Sequence, residues 1–317
     1  MKKVWTDANA LGGKLAACAV TVGNFDGVHR GHQDLIRELV LRSRKLGVPS
    51  VAMMFDPHPS VILGLPGPPL LTRPMDRARM LYALDVEYCL IQPFSAALAR
   101  LSARKFVEDL LISKLHMKTF CVGPTTHVGR AREGNPARLA SLAGELGFEF
   151  ALVSAVVVDG QLVSSSVIRK LLAEGDVEET TKLLGWTYVT RGKIVSGSGR
   201  GSKIGVPTAN LENVSTLLPK RGVYATVLRA EGKPYRGATN VGLRPTFGNG
   251  ERLTVETHAL DFQGSLLGRE VEIFWVKRLR DEVRFPDASE LNRQIQRDGG
   301  EVRKRIPEPA RGILELK

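Results

Sequence analysis

Ala19-Val20-Thr21-Val22-Gly23-Asn24-Phe25-Asp26-Gly27-Val28-His29-Arg30-Gly31-His32 runs from a short apolar stretch through a glycine-rich turn towards a helical pattern. The run Ala19 to Val22 reads as a buried strand. From Gln33 to Leu46, the apolar residues Leu35, Ile36, Leu39, Val40 and Leu46 recur at helical spacing. Strand, turn and helix in this order open an α/β unit, in which ligands collect at the carboxyl ends of strands, where helix N-termini point. Gly23, Gly27 and Gly31 permit a sharp turn or a close approach of phosphate to the backbone. His29 and His32, three apart, share one face of the first helical turn. Two imidazoles there can donate hydrogen bonds to phosphate oxygens whose charge grows during nucleotidyl transfer, with no covalent intermediate. The competing reading is a glycine-rich turn with two capping or surface histidines. A metal site lacks the carboxylate–histidine partners that it would need.

Outward from this stretch the same rhythm continues. Val51 to Phe55, Tyr88 to Ile91, Thr119 to Val122 and Phe150 to Val153 read as further strands, with a helix expected over Ala103 to His116. That alternation predicts a mostly parallel sheet covered by helices. After Gly185 the character changes. Glycines crowd the chain and short β-rich runs follow one another, as in Tyr224-Ala225-Thr226-Val227-Leu228 and Val271-Glu272-Ile273-Phe274-Trp275. These predict a small antiparallel barrel, with a terminal polar helix from Glu290 to Ile306. The expected division is 1–185 and 186–317.

The chain has 317 residues, enough for about two domains. Lysine and arginine number 45 against 33 acidic residues, a net charge of +12, which favours anionic partners. Nucleic acid would explain the charge but none of the motifs: aromatics are only 6%, and no RNP-like or helix-turn-helix pattern occurs. No run of about 20 apolar residues is present to span a bilayer, so no membrane partner is expected. Leu15-Ala16-Ala17-Cys18 looks like a lipoprotein cleavage box. The apolar run that it needs is interrupted by Asp7, Asn9, Gly12, Gly13 and Lys14, so a signal peptide is not expected. Cys18, Cys89 and Cys121 form no CxxC pair and are expected as reduced, buried thiols of a cytoplasmic protein.

The segment Gly23 to His32 resembles the HxGH nucleotidyltransferase superfamily, and more closely the FMN adenylyltransferase module of bacterial bifunctional riboflavin kinase/FAD synthetases. Phe55-Asp56-Pro57-His58-Pro59 matches that family's PHP turn, and Ser164-Ser165-Ser166-Val167-Ile168-Arg169 its serine-rich helix start. The resemblance implies a Rossmann-like nucleotidyltransferase domain that binds ATP through Gly23, Asn24, Phe25, Asp26, Gly27, His29, His32, Ser165 and Arg169. Of these, His29, His32 and Arg169 would be catalytic. Arg169 suits phosphate as a fork of donors, and serine hydroxyls suit a helix cap. One segment departs from the family. Where it usually carries Gly-x-Asp/Asn-Phe-x-Phe-Gly, this chain reads Gly123-Pro124-Thr125-Thr126-His127-Val128-Gly129, without the acid or amide and without both aromatics. His127 could stack or hydrogen-bond in their place, or be an exposed loop histidine.

Further on, Gly197-Ser198-Gly199-Arg200-Gly201-Ser202-Lys203-Ile204-Gly205-Val206-Pro207-Thr208-Ala209-Asn210 is neither a Walker loop nor a dinucleotide fingerprint. It resembles the flavokinase signature Gly-x-Pro-Thr-Ala-Asn. Asn240-Val241-Gly242-Leu243-Arg244-Pro245-Thr246-Phe247 and Val255-Glu256-Thr257-His258 continue that resemblance over 186–306. It implies an antiparallel β-barrel flavokinase domain. ATP would lie against Gly199, Lys203, Gly205, Pro207, Thr208 and Asn210, with Mg²⁺ on Thr208 and Asn210. Flavin would lie against Asn240, Arg244 and Glu256, and Glu256 would be the catalytic base for the ribityl 5′-hydroxyl. Arg244 could instead brace the barrel. Threonine hydroxyl and asparagine carbonyl are hard oxygen donors of the kind Mg²⁺ accepts. A strand carboxylate within reach of an alcohol can take its proton.

The expected activities are therefore phosphorylation of riboflavin to FMN and adenylation of FMN to FAD, with ATP as co-substrate and no protein partner implied. The alternative is a monofunctional riboflavin kinase whose first domain is degenerate.

Overall fold

The structure is a computed structural model that describes residues 3–196, 208–245, 251–283, 285–309 and 315. The chain divides into two compact units, one reaching to Ser165 and one running from Ser166 to Glu315.

The first unit is built on six strands: β1 (Val4–Trp5), β2 (Cys18–Val22), β3 (Ser50–Asp56), β4 (Tyr88–Pro93), β5 (Met117–Val122) and β6 (Glu149–Leu152). They lie in the order β1-β4-β3-β2-β5-β6, and every pairing is parallel. The chain leaves β2 towards β3 and β4 on one side, then returns to place β5 on the other. The carboxyl ends of β2 and β5 therefore flank the switch point where an open parallel sheet binds ligands. Those two ends carry the 23–32 and 123–129 segments. All five residues of β2 are buried, as expected of a strand covered on both faces. Val20 and Val22 join a cluster with Phe106, Leu110 and Leu139, and Ala19 joins another with Leu35, Ile36, Leu39 and Leu81.

The helix after β2 spans Arg30–Leu46 and ends on Gly47, whose φ of 65° gives the left-handed cap. The helix expected over 103–116 is formed, but it is not α-helical throughout. Ala103–Lys105 is α-helical and Phe106–Ile112 is a π-helix, closed by Ser113 N–H donating to the Glu108 carbonyl at 2.9 Å. Val107 and Leu111 within the π-helix, and Leu115 just beyond it, are fully buried. Two further helices, Pro74–Ala83 and Pro136–Leu146, each begin with proline in the first turn. All three cysteines are free and buried.

In the second unit the helices that end at Glu174 and Leu184 precede the barrel, and Gly185, where the sequence changes character, caps the latter at φ 78°. The strands paired in the barrel are β9 (Val189–Val195), β10 (Ala209–Glu212), β11 (Gly222–Ala230), β12 (Lys233–Pro245), β13 (Glu251–Ala259) and β14 (Glu270–Arg280). They close in the order β10-β13-β12-β11-β14-β9, and β9 pairs with β10 to complete the ring. (A two-residue hairpin, β7 Val157–Val158 with β8 Gln161–Leu162, belongs to the first unit.) Inside the barrel the hydroxyls of Thr226, Thr239 and Thr257 form a chain, 2.7 and 2.9 Å apart. Each threonine is essentially inaccessible, so these bonds satisfy groups that water cannot reach. The terminal helix Ala288–Arg305 is tied to β14 by Arg280, which donates to both oxygens of the buried Asp298 at 3.1 and 2.7 Å.

Candidate active sites

In the first unit the turn after β2 is held in an unusual shape. Phe25 (φ 49°), Gly27 (φ 86°) and Val28 (φ 38°) all lie in the left-handed region. For a β-branched residue such as Val28 this is a strained conformation, costing about 1–3 kcal/mol. The surroundings impose it. Gly27 N–H donates to the Thr72 hydroxyl at 3.0 Å, and the Gln33 amide donates to the Val28 carbonyl at 2.9 Å.

The turn is braced from within by Asp26. Its carboxylate is 6% exposed and accepts from the Leu71 and Thr72 N–H groups and from the Thr72 hydroxyl. Arg77 Nη2 lies 3.1 Å from it, and Arg77 also donates to the carbonyls of Asn24 and Thr72. Phe25 and Asp26, both within the stretch expected to bind ATP, turn their side chains into the protein. Phe25 is 1% exposed, and its ring packs edge-on to His32 with centroids 5.3 Å apart. Both side chains shape the loop from its inner side. Thr72 and Arg77, which sequence reasoning missed, are separated from the turn by 45 to 53 residues.

His29 caps the helix. Its Nδ1 accepts from the His32 N–H at 3.3 Å, which assigns the ring proton to Nε2. The two imidazoles are stacked, with centroids 3.6 Å apart and planes 16° from parallel. Burial, with contributions from His29 and Arg77, holds His32 well below the usual imidazole pKa of 6.5, so it is neutral at pH 7. The His32 Nδ1 and Asn24 Oδ1 atoms are buried with no partner. Buried polar atoms are nearly always satisfied, so these two unsatisfied atoms set the turn apart from an ordinary packed loop. Ser165 is brought to the same turn, its hydroxyl donating to the Asp26 carbonyl at 2.8 Å. Arg169 follows on the helix Ser165–Glu174 and belongs to the second unit.

At the end of β5, Thr126 closes a turn on Gly123, and Gly129 (φ 77°) lies so close to Ala103 that an added Cβ would stand 2.4 Å from its backbone nitrogen. His127 is exposed.

In the barrel three polar residues align. Asn210 on β10 pairs with Glu256 on β13, and Glu256 pairs with Asn240 on β12. Residues directly opposite share a face, and neighbours along a strand alternate. Val255 and Thr257, 2% and 1% exposed, face inward. Asn210, Glu256 and Asn240 therefore form an outward row, each half-buried. Thr208, half-buried, lies just before β10. Arg244 is on β12, opposite Arg252. Gly199, Lys203, Gly205 and Pro207 lie outside the described residues, as do Thr246 and Phe247. Glu282 and Arg221, which no motif singled out, adjoin the row: Asn240 Nδ2 donates to Glu282 at 3.3 Å, and Arg221 to its other oxygen at 2.8 Å.

A parallel sheet with a stacked histidine pair at its switch point defines a nucleotidyltransferase-type unit, and the closed barrel with its outward row a flavokinase-type unit. The comparisons agree with both. Residues 13–167 match the FAD synthetase family and residues 184–306 the riboflavin kinase family. A bifunctional riboflavin kinase/FMN adenylyltransferase from Escherichia coli (strain K12) is 37% identical over 283 residues, covering 89% of this chain and 90% of that protein. One of the same name from Listeria monocytogenes is 33% identical over 302 residues, covering 94% and 93%. A crystal structure from Streptococcus pneumoniae, described as a macrolide-efflux protein, superposes with a TM-score of 0.84 at 31% identity, over 92% of this chain and 96% of that one. Among the described residues of this chain, no helix is long and apolar enough to cross a membrane. The chain belongs to the bifunctional riboflavin kinase/FMN adenylyltransferase family. Because both domains are present, the monofunctional alternative is not favoured.

Proposed function

We propose that the protein carries out two successive transfers in the cytoplasm, with the functional division at 185/186. The barrel moves the γ-phosphoryl group of ATP to the 5′-hydroxyl of riboflavin, giving FMN and ADP. The sheet domain then joins FMN to the adenylyl group of a second ATP, giving FAD and pyrophosphate. The observation that carries the kinase half is the row Asn210, Glu256 and Asn240, which puts an acid between two amides on one face of rigid strands. Glu256 takes the proton of the attacking hydroxyl, and the amides on either side hold the reactants. Thr208 and Asn210 supply hard oxygens that fit Mg²⁺, which when bound would offset phosphate charge. Arg244 is assigned to the flavin or to a loop around it.

For the adenylyl step, His29 presents an Nε2–H donor because its Nδ1 is occupied, and the neutral His32 stacks on it. Gly23 and Gly27 let the phosphates approach the backbone, and Ser165 stands at the same turn; Arg169 is assigned to the ATP phosphates by its place in the family's serine-rich helix motif. Preorganised donors aimed at developing phosphate charge lower the barrier without a covalent step.

The test is to incubate the protein with riboflavin, ATP and Mg²⁺ and to resolve the flavins by chromatography. FAD accumulation is expected. FMN alone would remove the adenylyltransferase assignment, and unchanged riboflavin would remove both.

A further inference from the structure

The contact between Asn240 and Glu282 decides which way an amide points. A carboxylate only accepts hydrogen bonds, whereas a primary amide donates from one end and accepts at the other. Glu282 therefore selects the orientation in which Asn240 Nδ2 faces it, 3.3 Å away. Arg221 secures Glu282 in turn, at 2.8 Å from its second oxygen. Gly242, two residues beyond Asn240 on the same face, leaves the space: a Cβ there would stand 2.4 Å from Glu282 Oε1 and 2.9 Å from the Asn240 amide nitrogen.

The other end of the amide is the informative one. Asn240 Oδ1 is buried and has no hydrogen-bond partner. It is an acceptor held away from its donor-side anchor, on a residue directly opposite Glu256. Opposed residues of an antiparallel pair have their Cα atoms about 4.5–5.5 Å apart. Vicinal hydroxyls of an extended polyol are separated by a shorter distance, well within the reach of two such side chains.

We propose that Glu282 is a positioning residue: it fixes Asn240 so that the amide oxygen accepts from the ribityl hydroxyl next to the one that reacts at Glu256. This rests on the kinase reading above. The arrangement makes the barrel selective for a polyol chain over a simple alcohol, because a substrate lacking that hydroxyl leaves the Asn240 oxygen unsatisfied.

The test measures steady-state FMN formation by wild type, Glu282→Ala, Glu282→Gln, Asn240→Ala and the double alanine variant. The substrates are riboflavin and an analogue lacking the ribityl 4′-hydroxyl. Glu282→Ala is expected to raise KM for riboflavin about tenfold with kcat within about twofold. Glu282→Gln, whose amide oxygen still accepts from Nδ2, should recover most of the loss. The double variant should be no worse than Asn240→Ala, since the two residues act as one unit. Wild type should discriminate against the analogue about tenfold, and Asn240→Ala should not discriminate.

An unchanged KM for Glu282→Ala, a fall confined to kcat, additive losses, or discrimination that survives in Asn240→Ala would each overturn the proposal. Should Glu282→Ala not fold, the analogue comparison in wild type and Asn240→Ala decides alone. Failure of wild type to make any FMN would instead overturn the kinase reading.

Discussion

Arg77 Nη2 lies 3.1 Å from Asp26 Oδ1, with the two side chains 4% and 6% exposed. This pair locks the turn after β2 to the helix Pro74–Ala83, and the Arg77 charge helps keep His32 neutral. Removing one partner strands a buried charge, which typically costs about 3–5 kcal/mol. Arg77→Met is expected to lower the urea midpoint by a corresponding amount and to abolish FAD formation. In preparations shown to be folded, FMN formation should persist.

Acid should weaken the fold through His32. Burial depresses its pKa in the folded state, so below about pH 6.5 the unfolded chain binds a proton that the folded chain refuses. Stability then rises with pH across that window and falls on acidification, by at most about 1.4 kcal/mol per pH unit. Chemical denaturation between pH 7.5 and 5 should show this slope, and His32→Gln should flatten it. An unchanged slope in the variant would assign the proton uptake elsewhere.

The two chemistries should separate cleanly by mutation. Glu256→Gln is expected to stop FMN formation while leaving conversion of supplied FMN to FAD intact. His32→Ala should do the reverse, slowing FAD formation by about a hundredfold or more. Equal loss of both steps in either variant would contradict a two-site enzyme.

Thiol chemistry offers an independent check on the first unit's core. Burial pushes the Cys18 and Cys121 thiols up to about 12, so neither is a thiolate at pH 8. A disulfide reagent at that pH should leave the native protein unmodified and react with all three cysteines once denaturant is added. Fast modification of the native protein would mean that the sheet core opens readily.

What could be read from the sequence was local. The strand before Gly23, the helix after His29 and the opposite facing of neighbours Val255 and Glu256 on one strand all follow from periodicity within a few residues. The helix Pro136–Leu146 also left a readable sign, Asn135-Pro136, in which Asn135 caps the first turn by accepting from the Arg138 N–H. Contacts made across the fold left none. Arg77 is one arginine among many until the sheet brings it under the turn. Glu282 has no motif around it, and the flavokinase stretch that contains Gly242 gives no hint of the carboxylate that its missing side chain admits. Nor could apolar spacing over 103–116 distinguish an α-helix from a π-helix, because both bury Phe106, Val107, Leu110 and Leu111. The flavokinase motif named Asn210, Asn240 and Glu256 separately. Only strand register puts them side by side.

The closed ring of β9 to β14 has a further consequence for that row. In an open sheet a terminal strand can detach while its neighbours stay paired, and a group on it can drift. Here β10, β13 and β12 are each hydrogen-bonded on at least one side to another member of the row, and the ring has no terminal strand among them. A slip of one residue would turn Glu256 into the threonine-lined interior and expose Val255 or Thr257 in its place. Such a slip thus takes the acid out of the row altogether instead of shifting it part-way, and under the kinase role proposed above it would end phosphoryl transfer.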